Sequence, residues 1–421
     1  MKRWLVITTV LATVAGVGGL GTAAAVAATP AVHQAARAGH HCGLLCHCRD
    51  DCDHGGGDGD GGDGDGGGGG GGGDAGISTS PHDPISINGD PAFTTANGVT
   101  NPAGCGTSDI PCQINGWGIA PKSGGTCIVI QNTTKVYVVH DNSCTGGTNG
   151  IVVRRAPGGT VRDNTVSRLL GVILTGTDAT GILVDTSNDV TVTGNRLSTI
   201  TGSSGAGIGQ KGGSAFGIHV LGGHRVDIEQ NTINPVTGGT GFPALGIGQS
   251  GANGGNALGI VAENMTATTT MLGGLVGPPL STLLGPVVDL LAPALPGPLA
   301  AVAATPLNLN VAGNTISALN GGGGGAGSFF GTPGGNGGSA EGVLLTAVAG
   351  SAVTGNTISS LRGANGGNGS GARGGNGGNA FGIHRVNSTV TPQLNQITLL
   401  AAGTGGSGFP AGQNGTARDI V

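Results

Sequence analysis

The chain has little aromatic side chain and little charge. Phe, Trp and Tyr together make up 2% of the 421 residues, and Asp, Glu, Lys and Arg make up 9%. The 17 lysines and arginines are scattered, so they cannot form the basic stripe that nucleic-acid binding requires. The net charge of −5 is too small to keep the chain disordered by charge repulsion. The scarcity of tyrosine and tryptophan weakens the case for a groove in which sugar rings stack on aromatic faces.

Export is predicted by the first residues of the chain. Met1, Lys2 and Arg3 form a short basic start, residues 4–20 are apolar, and residues 25–27 offer a small-residue cleavage site. Residues 1–27 are therefore predicted to be a signal peptide. We expect the mature protein to be secreted, extracellular or in the cell envelope, or periplasmic if an outer membrane is present. No second run is long and apolar enough to predict a membrane span in the mature protein.

Residues 28–54 form a Cys/His-rich segment. Four thiols and an imidazole of this segment could bind zinc or copper. These are Cys42, Cys46, Cys48, Cys52 and His54. Their spacing matches no common zinc module, and an even cysteine count in an exported protein favours two local disulfides over a metal or intermolecular cross-links.

Residues 55–83 are rich in glycine and carry several aspartates. Aspartates in a glycine chain are typical of calcium-binding nonapeptide repeats, but the apolar position that those repeats need is missing. A flexible acidic linker is the favoured interpretation. We expect no cofactor, with zinc, copper and calcium as the alternatives.

A sequence repeat of about two dozen residues recurs along the remaining chain. Each copy opens on Gly followed by a hydrophobic residue, and reaches an Asn about fourteen positions later. The pairs are Gly150/Asn164, Gly181/Asn195, Gly217/Asn231, Gly342/Asn356 and Gly382/Asn395, with Gly259/Asn314 as a sixth pair lengthened by an insertion. A fixed period of this kind predicts a solenoid, in which each repeat stacks on the last.

The sequence resembles a known family from Pro84 onward, in the region that leads into these repeats. The runs PISINGDPAFTTANGVT from Pro84, INGWGI from Ile114 and GTCIVIQNTTKVYVVHDN from Gly125 resemble the start of right-handed parallel β-helix proteins. This family occurs on prokaryotic surfaces and in the periplasm, and it includes proteins of nitrous-oxide reductase maturation. The resemblance implies an all-β fold, a single-stranded right-handed parallel β-helix. Residues 84–148 would form the cap and first coils, and residues 149–421 the remaining coils.

Four cysteines lie in the predicted cap: Cys105, Cys112, Cys127 and Cys144. Three pairings are possible, and proximity in the sequence favours Cys105 with Cys112 and Cys127 with Cys144. Such bonds would hold the first coil, where a solenoid otherwise exposes unpaired strand edges and an open core. The alternative is that one or more are buried free thiols.

Within each coil the residues alternate as a β-strand requires. Ile182 and Val184 are predicted to point inward, and Leu183 and Asp185 outward. The asparagines are predicted to stack at one turn, where an amide can both donate and accept hydrogen bonds. Their tolerance of left-handed backbone would also suit the turn. This structural ladder comprises Asn164, Asn195, Asn231, Asn314, Asn356 and Asn395.

Glycine-rich insertions recur at the next corner of successive coils, at residues 202–213, 238–255, 321–338 and 363–378. They must lie side by side. One alternative is that they are flexible, because glycine loses the most entropy on ordering. The other, which their shared final motif favours, is that they pack as extended chains bonded to each other.

An apolar, proline-rich insertion at about 267–305 differs in kind. Residues 271–304 contain Asp289 as their sole charge, and six prolines divide them into pieces too short for a membrane span. This stretch would either contact a partner or a lipid surface, or fold over the protein's own flank.

No dense catalytic cluster is evident. Many β-helix proteins act on acidic polysaccharides, and the candidates for such chemistry are Arg154, Asp185, Asp227 and Glu229. Two acidic residues two positions apart on one strand often occur by chance, so we predict no catalytic residues. The sequence favours a non-catalytic scaffold or binding protein of the cell envelope or extracellular space, with glycans or other envelope components as its partners. The alternative is a polysaccharide lyase or glycoside hydrolase.

Overall fold

The structure, a computed structural model, describes residues 79–172, 175–265, 308–328 and 330–421. These residues belong to the second of two compact units, Gly73–Val421. The predicted signal peptide, the Cys/His-rich segment, nearly all of the linker and the apolar insertion lie outside the described residues.

The described chain is a right-handed parallel β-helix. Its strands form three sheets in which all neighbours are parallel, and most coils contribute a strand to each sheet in turn. Two short 3-10 turns, Asp90–Ala92 and Thr95–Asn97, lie near its start. Among the described residues no helix is long and apolar enough to cross a membrane.

Sheet 1 has nine strands, which carry the Gly-hydrophobic half of the repeat. They are β2 (Ile85–Asn88), β5 (Thr126–Gln131), β8 (Asn149–Arg154), β11 (Ala179–Asp185), β14 (Ala215–Leu221), β18 (Ala257–Glu263), β21 (Ala340–Thr346), β24 (Ala380–Val386) and β26 (Ala417–Ile420).

Sheet 2 has seven strands. They are β3 (Cys112–Asn115), β6 (Tyr137–His140), β9 (Gly159–Arg162), β12 (Val190–Thr193), β15 (Val226–Glu229), β19 (Leu309–Ala312) and β22 (Ser351–Thr354).

Sheet 3 has ten strands and follows the asparagine corner. They are β1 (Ser80–His82), β4 (Trp117–Ile119), β7 (Ser143–Thr145), β10 (Thr165–Leu170), β13 (Arg196–Thr201), β16 (Thr232–Ile233), β17 (Val236–Thr237), β20 (Thr315–Asn320), β23 (Thr357–Arg362) and β25 (Gln396–Ala401). Pro235, which has no N–H to donate, separates β16 from β17.

The core is one continuous apolar column inside the coils. The predicted alternation is present, since Ile182 and Val184 are fully buried and Leu183 and Asp185 are not. Both predicted disulfides are present in the first coils, Cys105–Cys112 and Cys127–Cys144, and all four cysteines are buried. The apolar column and the disulfides together explain how a chain with so few aromatic residues holds its fold.

The asparagine ladder runs along the corner between sheets 2 and 3. At each step the Nδ2 of one asparagine donates to the Oδ1 of the next, as from Asn195 to Asn231 at 3.0 Å. The ladder begins one coil earlier than predicted, because Asn142 donates to Asn164 in the same way. The predicted left-handed backbone was wrong for the asparagines themselves. The positive φ belongs to the preceding residue, for example Asp163 or Gln230.

The glycine-rich insertions are ordered, and a fifth one follows β25. We call the five inserts 202–214, 238–256, 321–339, 363–379 and 402–416 the glycine slab. In each insert the outgoing leg leaves sheet 3, and the return leg leads back to sheet 1. Outgoing and return legs alternate along lines of backbone hydrogen bonds 2.7–2.9 Å long. One line runs through Ser203, Gly213, Gly239, Gly255, Gly322, Gly338, Ala364, Gly378, Gly403 and Gly415.

A second line of such bonds lies three residues farther out along each leg, through Phe242, Ala252, Gly325, Gly335, Gly367, Gly375, Gly406 and Gly412. A period of three, with backbone bonds made to neighbouring legs, is typical of packed polyproline-II chains. Glycine occupies most positions on the two lines, and at many of them there is no space for a side chain. A Cβ on Gly335 or Gly338 would overlap a carbonyl oxygen of an adjacent leg. The slab is therefore a two-layered structure whose interior is backbone alone.

Candidate functional site

Two surfaces carry side chains in regular rows: the outer face of sheet 1 and the faces of the glycine slab. On sheet 1, Arg154, Asp185, Leu221 and Glu263 occupy one row across successive strands. The Arg154 Nε donates to the Asp185 Oδ2 at 2.7 Å. Burial acts to raise the pKa of Asp185, but hydrogen bonds from Thr186 and Arg154 outweigh it and hold the pKa below its usual value. A carboxyl group in this state is a poor general acid.

His219 lies between these carboxylates on the same face. Its ring stacks on Phe216 with the centroids 4.6 Å apart, and its Nε2 is 3.8 Å from the Glu263 Oε2. The Nε2 atom is buried and has no hydrogen-bond partner. Burial lowers the pKa of His219, and the nearby Glu263 carboxylate opposes this effect. His219 is therefore a neutral base in the folded protein near neutral pH.

Glu263→Gln is expected to lower the pKa of His219 further, because it removes the carboxylate charge that favours the imidazolium. The folded-state pKa already lies below the ordinary value of 6.5. The unfolded chain therefore binds this proton more tightly, and stability is lost as the pH falls below 6.5. An NMR titration of the imidazole measures the shift. Thr346→Ala, the next position of the same row, is the control and should leave the titration unchanged.

A second histidine repeats this arrangement three strands away. The His384 Nδ1 lies 2.9 Å from the Glu341 Oε2, and the His384 ring contacts Phe381 at 4.7 Å. His219 and His384 share one row, with Val261 and Leu344 between them. The two histidine–glutamate pairs therefore form separate local contacts rather than one site.

Part of this outer face is not open to a ligand. Val261 and Leu258 point away from the core on β18, yet their exposed fractions are 0% and 4%. Neither belongs to the continuous core inside the coils. These two outward side chains are therefore not available for direct contact with a ligand.

The remaining catalytic candidates lie on a different sheet. Asp227 and Glu229 are on β15 of sheet 2, beside Thr191 and Thr193 of β12. The Asn310 Nδ2 donates to the Glu229 Oε1 at 2.6 Å. Arg154 and Asp185 lie together on sheet 1, whereas Asp227 and Glu229 lie on sheet 2. The four candidates therefore do not converge.

The Cys/His-rich segment, for which the sequence favours two local disulfides over a metal site at Cys42, Cys46, Cys48, Cys52 and His54, lies outside the described residues. In the part of the chain that the structure describes, no group of three or more His, Cys, Asp or Glu residues could hold a metal ion.

The return-leg face of the slab carries two rows of polar side chains. In the first row the backbone N–H of Asn336 donates to the Asn253 Oδ1 at 2.8 Å, and that of Asn376 donates to the Asn336 Oδ1 at 2.8 Å. The Gln413 N–H continues the row to Asn376 at 3.0 Å. The second row, three residues away, comprises Ser214, Asn256, Ser339, Asn379 and Thr416. Each side chain accepts from the next coil, so the rows are fixed in register.

The outgoing-leg face is less regular. The Thr404 and Ser407 N–H groups donate to the Oδ1 atoms of Asn365 and Asn368, both at 3.0 Å. Gly323 and Ala326 occupy the equivalent positions one coil earlier and have no polar side chain to offer. The rows on this face are therefore shorter.

Sequence reasoning missed these slab rows as a surface. Their signal was the Asn or Ser that recurs at every third position of the return legs, between pairs of glycines, as at Asn336 and Ser339. A period of three is neither that of a helix nor that of a strand, and it indicates polyproline-II packing.

No family model matches the chain, and no curated protein matches it. Among solved structures, the chain is similar to an alginate lyase from a Paenibacillus species, with 11% identity and a TM-score of 0.25 over 75% of this chain and 98% of that chain. It is also similar to PfbA, a surface adhesin of Streptococcus pneumoniae, with 10% identity and a TM-score of 0.19 over 69% of each chain.

A third similar structure is the A-module of a mannuronan C-5 epimerase from Azotobacter vinelandii, with 12% identity and a TM-score of 0.17 over 76% of this chain and 87% of that chain. These similarities carry no argument about activity. The fold follows from the three all-parallel sheets of the chain itself.

Proposed function

We propose that this chain is an exported, non-catalytic β-helix scaffold that binds glycans along the return-leg face of the glycine slab. The observation that carries the proposal is the pair of fixed polar rows on that face. The backbone of the next coil takes the Oδ1 of Asn253, Asn336 and Asn376, so the Nδ2 group is the part of each side chain left for a ligand. Asn253 and Asn336 are exposed.

The spacing of the rows suits an extended polymer. Neighbouring coils place equivalent groups about 4.8 Å apart, and the two rows lie about 9 Å apart along the legs. Sugar hydroxyl and acetamido oxygens accept hydrogen bonds from amide N–H groups. A rigid row of donors also binds with little loss of side-chain entropy, because the Oδ1 bonds already hold each side chain.

Two features support the other parts of the proposal. The buried Cys105–Cys112 and Cys127–Cys144 disulfides are typical of proteins that leave the reducing cytoplasm. The proposal is non-catalytic because Asp185 is bound to Arg154, while Asp227 lies on another sheet.

Asn336→Ala combined with Asn376→Ala is expected to weaken glycan binding about tenfold or more, since each lost hydrogen bond contributes about 0.5–1.5 kcal/mol. Binding is measured by affinity electrophoresis and by pull-down on insoluble polysaccharides, over neutral and acidic glycans.

The matched control is Asn365→Ala combined with Asn368→Ala, on the outgoing legs. These side chains are exposed and accept the same kind of backbone bond, so they report any general effect on the slab. The proposal is wrong if the two double variants bind equally, or if the parent chain retains no glycan of the panel.

A lyase or hydrolase of polysaccharides is the second candidate, and the unpartnered Nε2 of His219 beside Glu263 favours it. It predicts shortening of an acidic or neutral polysaccharide, with or without calcium, that is lost in Asp185→Ala or Asp227→Ala. Such turnover would exclude the non-catalytic proposal.

A further inference from the structure

The outer edge of the glycine slab carries large apolar side chains at the tips of its inserts. Four of the five inserts contribute such side chains, and their exposed fractions are unusually high. They are Ile208 at 58%, Leu245 at 55%, Ile247 at 87%, Phe330 at 87% and Phe409 at 89%. Half of the exposed large hydrophobic residues of the described chain lie at these tips. A concentration of this kind marks an interaction surface.

The tips form a single ridge because the legs behind them are in register. Ala244 donates its N–H to the Ala326 carbonyl, and Gly327 donates to that of Asn368, close to the ends of the legs. Neighbouring legs are therefore one coil spacing apart, about 4.8 Å, and because the inserts differ in length their tips extend to different distances along the same edge. The legs are already ordered, so the ridge needs no folding step in order to bind.

The charge of the slab is of one sign. The five inserts contain no aspartate or glutamate, although the whole chain has a net charge of −5. Their only charged residues are Lys211 and Arg373, and both are exposed on return legs near the tips. The structure thus places an apolar ridge beside basic groups, with no acidic group on the inserts to repel an anionic surface.

A groove opens beside one of these basic groups. It has a volume of about 480 Å³ and lies between the return legs of the first two inserts, lined in part by Ile208, Lys211 and Gln249. The Gln249 Oε1 is buried and has no hydrogen-bond partner. A polar headgroup in this groove would lie within reach of Lys211 while Ile208 and Ile247 enter the apolar layer.

We propose that the slab edge binds an anionic lipid surface, with the tips of the inserts entering the headgroup layer and with Lys211 and Arg373 pairing with lipid phosphates. Apolar side chains flanked by lysine and arginine are the arrangement that interfacial membrane binding uses. Each basic group near an anionic leaflet adds to that attraction.

A second copy of the chain fits this edge poorly. Stable interfaces between proteins use roughly 20–30 residues on each side, whereas this ridge offers five apolar side chains at four loop tips. Pairing two ridges would also bring Lys211 and Arg373 of both copies together. A lipid surface has neither difficulty, since the headgroup layer adapts to a narrow ridge.

The test compares variants of the full-length chain in flotation with vesicles of phosphatidylcholine alone and of phosphatidylcholine mixed with phosphatidylglycerol. The parent chain is expected to float with the mixed vesicles. Ile247→Ser combined with Phe409→Ser is expected to reduce that binding about tenfold or more, because two nearly fully exposed apolar side chains no longer enter the lipid.

The matched control is Leu394→Ser combined with Leu399→Ser. These two leucines are 88% and 75% exposed, but they lie outside the slab. The control should bind as the parent does, and circular dichroism verifies that both double variants fold. The N-terminal apolar run is common to all the chains, so the difference between variants reports the ridge alone.

Lys211→Glu combined with Arg373→Glu tests the electrostatic part. It is expected to abolish the preference for phosphatidylglycerol. The proposal is overturned if the parent chain binds neither vesicle, or if the leucine control loses as much binding as the tip variant. It is also overturned if light scattering shows that the tip variant converts a parent dimer to a monomer, which would assign the ridge to a second copy.

Discussion

Gly338→Ala is expected to destabilise the glycine slab by about 3 kcal/mol, near the upper end of the usual range for overpacking a tight interior. Gly338 lies on an inward position of a return leg. A Cβ there would overlap the Gly255 carbonyl oxygen and press on the Gly322 nitrogen. These are backbone atoms, and they bond to further legs, so no flexible side chain can move aside.

Gly323→Ala in the same insert is the matched control. It lies on an outward position, where a Cβ would meet only the Thr240 Cγ2, at 3.9 Å. This alanine is expected to change stability little, or to stabilise by up to about 1 kcal/mol through the unfolded chain. Thermal unfolding followed by circular dichroism compares the two variants.

Hydrogen exchange locates the effect. In Gly338→Ala the amides of Gly322, Gly338 and Ala364 should lose protection, because all three lie on one hydrogen-bonded line. The strands inside the coils should lose much less, since a solenoid responds locally. Equal stability of the two alanine variants would show that the slab is not close-packed as described.

The sequence repeat predicts the coils well because its two signals are local: the alternation of apolar and polar residues along each strand, and the asparagine at one corner. In one coil, for example, Gly181 lies near the start of the sheet 1 strand, and Asn195 lies at the corner before the sheet 3 strand. The alternation of apolar and polar residues between these two positions identifies the side chains that point inward. Asn142 escaped notice because Ser-Cys-Thr follows it in place of Thr-Ile-Ser. The left-handed residue was misassigned by one position. That position holds Asp163, Gly194 or Gln230, and the residue type varies too much to signal it.

The sequence alone could not decide whether the glycine-rich inserts are flexible or packed against each other, because glycine permits both. A run such as residues 321–327 is as compatible with a flexible loop as with an ordered leg. Order comes from long-range bonds, for example from Gly322 to Gly255, which lies 67 positions earlier in the chain. The insertion before Leu309 further hides this pairing.

The candidate site likewise has features that the sequence predicts and features that depend on contacts between distant parts of the chain. The sequence identifies Asp185 and Asp227 as outward-facing, and the structure agrees. The sequence also assigns them to different faces of the coil, and the structure places Asp185 on sheet 1 and Asp227 on sheet 2, so that no acidic pair forms. The row of Asn253, Asn336 and Asn376 depends on the stacking of inserts of unequal length, which no local pattern specifies.

Asn231→Ala is expected to cost about 3 kcal/mol or more, because leaving a buried polar group unpaired costs about 1–3 kcal/mol. Asn231 is fully buried in the middle of the ladder. Its Nδ2 donates to the Val192 carbonyl at 2.9 Å and to the Asn314 Oδ1 at 3.0 Å. Its Oδ1 accepts from the Asn195 N–H and Nδ2, both at 3.0 Å. Alanine removes all four bonds.

Asn395→Ala at the end of the ladder is the matched control, and it should cost about 1 kcal/mol, the net value of an ordinary hydrogen bond. Asn395 makes the same bonds to Val353 and Asn356, but it is only half-buried, so water can replace the lost amide. Urea unfolding measures the stability of both variants.

Asn231→Ala should also divide the unfolding transition in two, because the coils of a solenoid are coupled only through their neighbours. The coils on either side of residue 231 should then unfold at different urea concentrations. A single transition with the small loss of the control would mean that the coils are held by the apolar column alone, with the asparagines dispensable at their corner.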